Sequence, residues 1–299
     1  MEIKQLEAFV SVAKSLSFSK AAEEMYASQP SVSAYISSLE KSLGVQLLIR
    51  NTREVSLTKA GLDLLVYAKN ILSLREQAIQ SVTGIDRNSG GAIDIISSTI
   101  PAQHLLPEII ASFQRSFPNI RFSVDQADSR QVEREMGGFR YDFGMVGTAP
   151  DGDRFNSYPV YDDELVLVTS RDEQQSAAFI RENFKEYITS VPFIMRKSGS
   201  GTRVEVEALL SKSDVDAREL RVAAHFSDAH SILLAVSHGM GVSLISKVAA
   251  AMYVEAGLVN AVEMNHPLFR RQIYLMHNKE LRLSPVQEKF TNHVLRFYR

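Results

Sequence analysis

The chain has 299 residues, 45% hydrophobic and 23% charged, a balance that suits a folded protein of two or three domains and excludes a disordered or fibrous one. It contains no cysteine, which rules out disulfides, thiolate metal sites and thiol nucleophiles. Its formal charge is −2, with +1 over residues 1–60 and −3 over the rest, so a nucleic-acid partner has to be argued from the placing of residues and not from bulk charge.

Charges at Glu2, Lys4, Glu7 and Lys14 break up any leader-like apolar run, and no later stretch approaches the ~20 apolar residues of a membrane helix, so a cytoplasmic protein is expected. Leu6, Phe9, Val10 and Ala13 fall on one stripe of a helix that begins near Ile3. Residues 15–19 break it, and a short helix through residues 20–25 follows, with Ser19 as its expected N-cap. Pro30 suits a first helical turn, which starts a third helix at about Gln29. Val32, Ile36, Leu39 and Leu43 form its inward stripe, and Gly44 supplies the stop.

The opposite face carries Ser31, Ser33, Ala34, Tyr35, Ser37 and Ser38, small or hydrogen-bonding residues that let the helix approach another surface closely. The segment after Gly44 is rich in β-branched residues and reads as a two-stranded hairpin with Arg50 and Arg53 near its turn. Together these elements predict a winged helix-turn-helix. Residues 58–87 read as one long helix, with a pairing seam at Leu57, Gly61, Leu64, Ala68, Ile71, Arg75, Ala78, Val82 and Ile85.

Asn88, Ser89, Gly90 and Gly91 mark a joint. Beyond it, strand-like runs at residues 92–97, 120–126, 142–147, 165–170, 193–196, 220–226 and 242–245 are mostly separated by helical ones, such as residues 104–117. That alternation predicts α/β layers around a largely parallel sheet.

Many positions in this order resemble the N-terminus of the LysR-type regulators. They include Leu6, Phe9, residues 17–22, Ser28-Gln29-Pro30-Ser31-Val32-Ser33, Ile36, Leu39-Glu40, Leu43-Gly44, Leu47, Arg50 and Leu57-Thr58-Lys59-Ala60-Gly61. Leu106-Pro107, Phe117-Pro118 and Gly239-Met240-Gly241-Val242 extend the resemblance into the second half. The fold this implies is multidomain, α and α/β: a winged helix-turn-helix over residues 1–58, a linker and dimerisation helix with its hinge over 59–89, and a two-lobed effector domain over 90–299 similar to periplasmic binding proteins. Lobe I would hold residues 90–161 and 268–299 and lobe II residues 162–267, with crossings near Asp162 and Leu268. The partners it implies are double-stranded operator DNA, a small-molecule effector and further copies of the chain, as a dimer or tetramer. Family members often carry Arg or Lys near Ala34, Ser37 and Ser38 and Phe at Leu48, and this chain departs from both habits.

The DNA-facing set is then Gln29, Pro30, Ser31, Ser33, Ala34, Tyr35, Ser38, Arg50 and Arg53, with arginines for phosphate and hydroxyls for base edges. The effector set comes from strand ends in two lobes. Ser98, Thr99 and Ile100 follow one strand, and Ser198, Gly199, Ser200, Gly201 and Thr202 lead into a helix whose free N–H groups favour an anion. Ser129, Thr148, Phe226 and Ser227 sit at other strand ends. The competing reading of such hydroxyls is helix N-capping.

Enzymatic readings find little. Ser17-Phe18-Ser19-Lys20 and Ser38-Leu39-Glu40-Lys41 match a Ser-x-x-Lys spacing but lie inside the helix-turn-helix without the companion motifs. Residues 197–202 lack the Gly-Lys-Ser/Thr of a phosphate loop, and His225 and His230 form no metal motif. Neither catalysis, a metal nor a cofactor is expected. A transport-type binding protein, or an enzyme of another class, is the alternative reading.

Overall fold

The computed structural model describes residues 1–50, 55–83 and 91–298. Its N-terminal unit is α1 (Ile3–Ser15), α2 (Phe18–Glu24), α3 (Gln29–Leu43) and an antiparallel wing of β1 (Leu48–Arg50) and β2 (Val55–Leu57), followed by α4 (Lys59–Thr83). A reciprocal capping box between Glu2 and Gln5 starts α1. α2 begins earlier than expected because Ser17, not Ser19, is its cap, the Ser17 hydroxyl accepting the Lys20 N–H. α3 opens at Gln29 behind Ser28, whose hydroxyl accepts the Ser31 N–H, and ends on Gly44 at φ +68°. Leu6, Phe9, Val12, Val32, Ile36, Leu39 and Leu65 pack as the core that fixes the angle between α1 and α3.

α4 corrects the expected seam by a rotation. Gly61 and Ala68 are buried, Leu64 and Ile71 pack on the chain's own N-terminal core, and Arg75 pairs with Glu7 of α1. Of that seam Val82 does face outward, at 87% exposure, and the other outward apolar residues are Tyr67 and Leu74, at 67% and 51%, with Leu62 and Ile79 less so. Ile85 of the expected seam, like Asn88, Ser89 and Gly90 of the expected joint, lies outside the described residues. At Gly61 the helix runs so close to the wing that a Cβ would lie 2.1 Å from the Leu47 carbonyl oxygen.

The second unit continues with β3 (Gly91–Ser97), α5 (Thr99–His104), α6 (Leu106–Ser116), β4 (Ile120–Gln126), α7 (Ser129–Gly137), β5 (Phe143–Val146) and β6 (Phe155–Ser170). Then come α8 (Ala177–Glu182), α9 (Phe184–Ser190), β7 (Pro192–Arg196), α10 (Gly201–Lys212), β8 (Arg221–Phe226) and α11 (Ala229–Ser237). β9 (Ser243–Ser246), α12 (Lys247–Glu255), β10 (Val259–Val262), β11 (Arg270–Asn278) and α13 (Pro285–Phe297) complete it.

The main sheet has the order β10-β6-β11-β5-β3-β4, with β9 also on β6, while β7 and β8 pair separately. It is mixed, which corrects the expectation of a largely parallel sheet: β3–β4, β3–β5 and β7–β8 are parallel, but every pair made by β6 or β11 is antiparallel. The reason is that β6 serves two halves. Residues 155–164 pair with β11, and residues 165–170 pair with β9 and β10. Two separate cores flank this crossing. Ile93, Phe113, Phe143 and Phe290 centre lobe I, and Leu167, Phe193, Leu210 and Leu244 centre lobe II.

Candidate functional site

Gln29, Pro30, Ser31, Ala34 and Ser38 are exposed on α3, Ser33 and Tyr35 are half-buried, and Arg53 lies outside the described residues. Glu40, which the sequence places in a family motif without a role of its own, organises the wing beside them. One of its carboxylate oxygens accepts the backbone N–H groups of Leu47 and Leu48 at 2.9 and 3.2 Å, and the other accepts the Arg50 guanidinium at 3.2 Å. Arg50 also lies over the Phe18 ring, 4.9 Å from its centroid, and reaches Ser33 at 3.5 Å. Gln5 donates to the Ser38 hydroxyl at 3.1 Å, which fixes that residue to α1. The face is therefore pre-oriented: an exposed edge of hydroxyls tied to Ser28, Arg50 and Gln5 and an aromatic ring, flanked by an arginine held in place.

The second set meets between the lobes. Ser98, Thr99, Ile100, Ser129, Ser200, Gly201 and Thr202 line one small cavity together with Ala127, Asp128, Gly147, Arg196 and Arg271. Thr148 touches it through Gly201, where a Cβ would lie 3.5 Å from the Thr148 methyl and 2.6 Å from the Ser129 hydroxyl. Gly199 abuts Asp128, and Ser227 contributes its carbonyl oxygen to Arg196. Ser198 and Phe226 do not line the cavity. N-capping does not explain the hydroxyls at the two main loops: Ser98 and Ser200 occupy the N-cap positions of α5 and α10 but make no side-chain cap bond. At α7 the cap is Asp128, which leaves the Ser129 hydroxyl buried without a partner among the described residues.

The two arginines were not anticipated, since they lie far apart in sequence, at the end of β7 and the start of β11. Arg271 is neutralised. Its Nε donates to Asp163 at 2.8 Å and its Nη1 to Thr202 at 3.2 Å, while its Nη2 lies 2.7 Å from the same Asp163 oxygen as an ion pair without a hydrogen bond of its own, and Ser246 gives Asp163 a further hydrogen bond at 2.8 Å. Arg196 is not neutralised. It is 6% exposed, donates to the Ser227 carbonyl at 2.8 Å and to Thr99 at 3.4 Å, leaves its Nε unpaired, and has no ion pair among the described residues. Burial draws its pKa below the ordinary guanidinium value, and Asp228 opposes this only at longer range. The cavity measures about 20 Å³, room for about one water. Among the described residues no cluster suited to a metal and no helix long and apolar enough to cross a membrane is found.

A winged helix-turn-helix joined by a long helix to two α/β lobes over a polar cleft defines a ligand-responsive DNA-binding regulator. Family comparison agrees at both ends. Residues 3–62 match the bacterial regulatory helix-turn-helix model of the lysR family, and residues 86–299 match the LysR substrate binding domain. The chain is 30% identical to an uncharacterized HTH-type transcriptional regulator of Methanocaldococcus jannaschii, over 93% of each protein. It is 27% identical to a probable RuBisCO transcriptional regulator of a Nostoc species, over 98% of this chain and 87% of that one. In fold it is similar to a full-length OxyR from Pseudomonas aeruginosa, with a TM-score of 0.77 at 17% identity, covering 100% of this chain and 98% of the other. The chain belongs to the LysR family: it is a DNA-binding transcriptional regulator with an effector-binding domain.

Proposed function

We propose that the effector is a small anion held on Arg196 between the lobes, and that its binding changes lobe closure and with it the placing of the DNA-binding domains. Arg196 carries this reading. A buried guanidinium without a carboxylate is costly unless a counter-charge arrives, and the hydroxyls of Thr99, Ser129 and Thr202 with the free N–H groups at the start of α10 supply the neutral half of an anion site. A cleft with room for one water cannot admit a metabolite unless the lobes part, so ligand and closure are linked through differential binding to two arrangements.

Recognition of operator DNA falls to Gln29, Pro30, Ser31, Ser33, Ala34, Tyr35 and Ser38, with Arg50 and Arg53 on phosphate. The domain limits follow the sequence reading: 1–58, 59–89 and 90–299, divided into lobes at 162 and 268. A second copy covers the outward face of α4, where Tyr67, Leu74 and Val82 repeat at helical spacing. The protein works in the cytoplasm as a regulator and not as an enzyme.

Thermal shift against a panel of small carboxylates and phosphates tests the effector. A hit should be lost in Thr99→Ala and Thr202→Ala while DNA binding in a gel shift persists, and a hit that survives both places the ligand elsewhere. Sedimentation tests the assembly, where Leu74→Asp should reduce the oligomer because an unpaired carboxylate is buried at the contact.

A further inference from the structure

A cavity of about 720 Å³ lies not in the cleft but between the DNA-binding domain and lobe I. Its walls show two opposed characters. Specific contacts close it: Lys14 of α1 pairs with Asp94, Lys69 of α4 pairs with Asp142 at 4.0 Å, and the Asn70 side chain both donates to the Glu280 carbonyl at 2.8 Å and accepts the Arg282 N–H at 2.7 Å. Leu281 and Phe139 pack into the core of the DNA-binding domain. Loose packing opens it, because Ser73 and the Nε of Arg140 are buried at the same void without hydrogen-bond partners. Burial draws the Lys69 ammonium below its ordinary pKa, so its partners compensate it incompletely. A permanent interface packs apolar surface at core density. Paired charges around a void mark an inter-domain contact that separates.

The two aspartates also stand at one end of a ladder whose other end is the cleft. The Asp94 N–H donates to the Asp142 carboxylate at 3.0 Å, and the Asp142 N–H donates to the Asp94 carbonyl at 2.9 Å. From there β3 runs to Ser97, followed by Ser98 and Thr99, and β5 runs to Val146, followed by Gly147 and Thr148. The Ser98 N–H ties the far ends together on the Met145 carbonyl at 2.8 Å.

We infer that this junction is a releasable latch: the lysine–aspartate pairs hold the DNA-binding domain against lobe I, and the β3–β5 ladder lets the cleft bias the latch toward holding or release. The inference rests on the cleft being the effector site but not on the effector's charge, and its test uses no effector. Two full-length variants bracket it. Asn70→Cys with Arg282→Cys, in a chain that otherwise lacks cysteine, locks the junction on oxidation, with bond formation checked by mass spectrometry. Lys14→Ala with Lys69→Ala releases it, and Lys14→Asp with Asp94→Lys tests whether a reversed pair restores the wild-type form.

The expected results are a larger radius of gyration by small-angle scattering for the released variant, and affinities for wild-type-selected genomic DNA that differ at least threefold between locked and released proteins, the locked one reverting on reduction. An unchanged radius in the released variant, or affinities within threefold throughout, would overturn the inference.

Discussion

The proposed recognition helix and the proposed effector cleft are prepared for their ligands with opposite chemistry. α3 presents neutral hydroxyls at an exposed surface and takes its charge from Arg50, a neighbour already balanced by Glu40. The cleft buries two guanidiniums and balances only one, Arg271 with Asp163. An exposed site need not be charge-complete before binding because water screens it. A buried one carries its imbalance as free energy, and the imbalance is itself the signal of a missing counter-charge.

The largest expected effect breaks the balanced half of the cleft. Asp163→Asn strands Arg271 and should cost about 3–5 kcal/mol in urea unfolding, the range for an orphaned buried ion. Arg196→Met should do the reverse: removing an uncompensated cation should leave the ligand-free protein as stable or more so, while lowering affinity for an anionic hit by roughly 100-fold, as for a lost charged hydrogen bond of ~1.5–3 kcal/mol. If Arg196→Met destabilises as severely as Asp163→Asn, then Arg196 is structural and the contrast drawn above collapses.

On the DNA side, Tyr35→Ala or Ser31→Ala should alter the preferred sequence by about 1–3 kcal/mol per lost base contact. Arg50→Ala should instead weaken all sequences alike and reduce the salt slope by about one. Selection from genomic fragments at two salt concentrations separates the two patterns. The smallest effect concerns pH. Burial holds His277 and His104 below the ordinary imidazole pKa of 6.5, His104 against the pull of Asp163. Unfolded imidazoles therefore take up protons that the folded ones resist, and stability is lost as pH falls below about 6.5. Thermal melts between pH 7 and pH 5 should show a shallower slope in His277→Gln.

The N-terminal unit was legible because its signals are local. Pro30 opening α3, Gly44 ending it and the apolar stripes, except for Leu43 of α3, which is 40% exposed instead of inward, all act within a few residues of where they stand. The misplaced α2 cap is the exception that fits, since Ser17 and Ser19 offer the same chemistry two residues apart. The α4 seam misled because a helix apolar on two sides does not declare which side faces its own domain. The hydroxyl loops of the cleft were visible as strand-end patterns, but Arg196, Arg271 and Asp163 were not. Arg196 ends an otherwise apolar strand, Asp163 and Arg271 sit in charged or polar runs (residues 162–164 and 270–272) that do not say which member turns inward, and only the pairing of β6 with β9 and β11 brings Asp163, Ser246 and Arg271 together. Glu40 was quoted as part of a motif, but its three acceptor contacts needed the wing folded back upon α3.

The near-contact at Gly61 reaches beyond its own neighbourhood. α4 is ~37 Å long at 1.5 Å per residue, so a slight change of tilt where it leaves the wing is magnified along its length. A methyl group there would collide with the Leu47 carbonyl and lever the helix away. In a two-fold assembly, what changes first is then the separation of the two recognition helices and not the grip of either one. In the proposed assembly the hydrogen atom at Gly61 would be a spacer, through which the tilt of α4 sets the distance between the half-sites that a pair of subunits reads together.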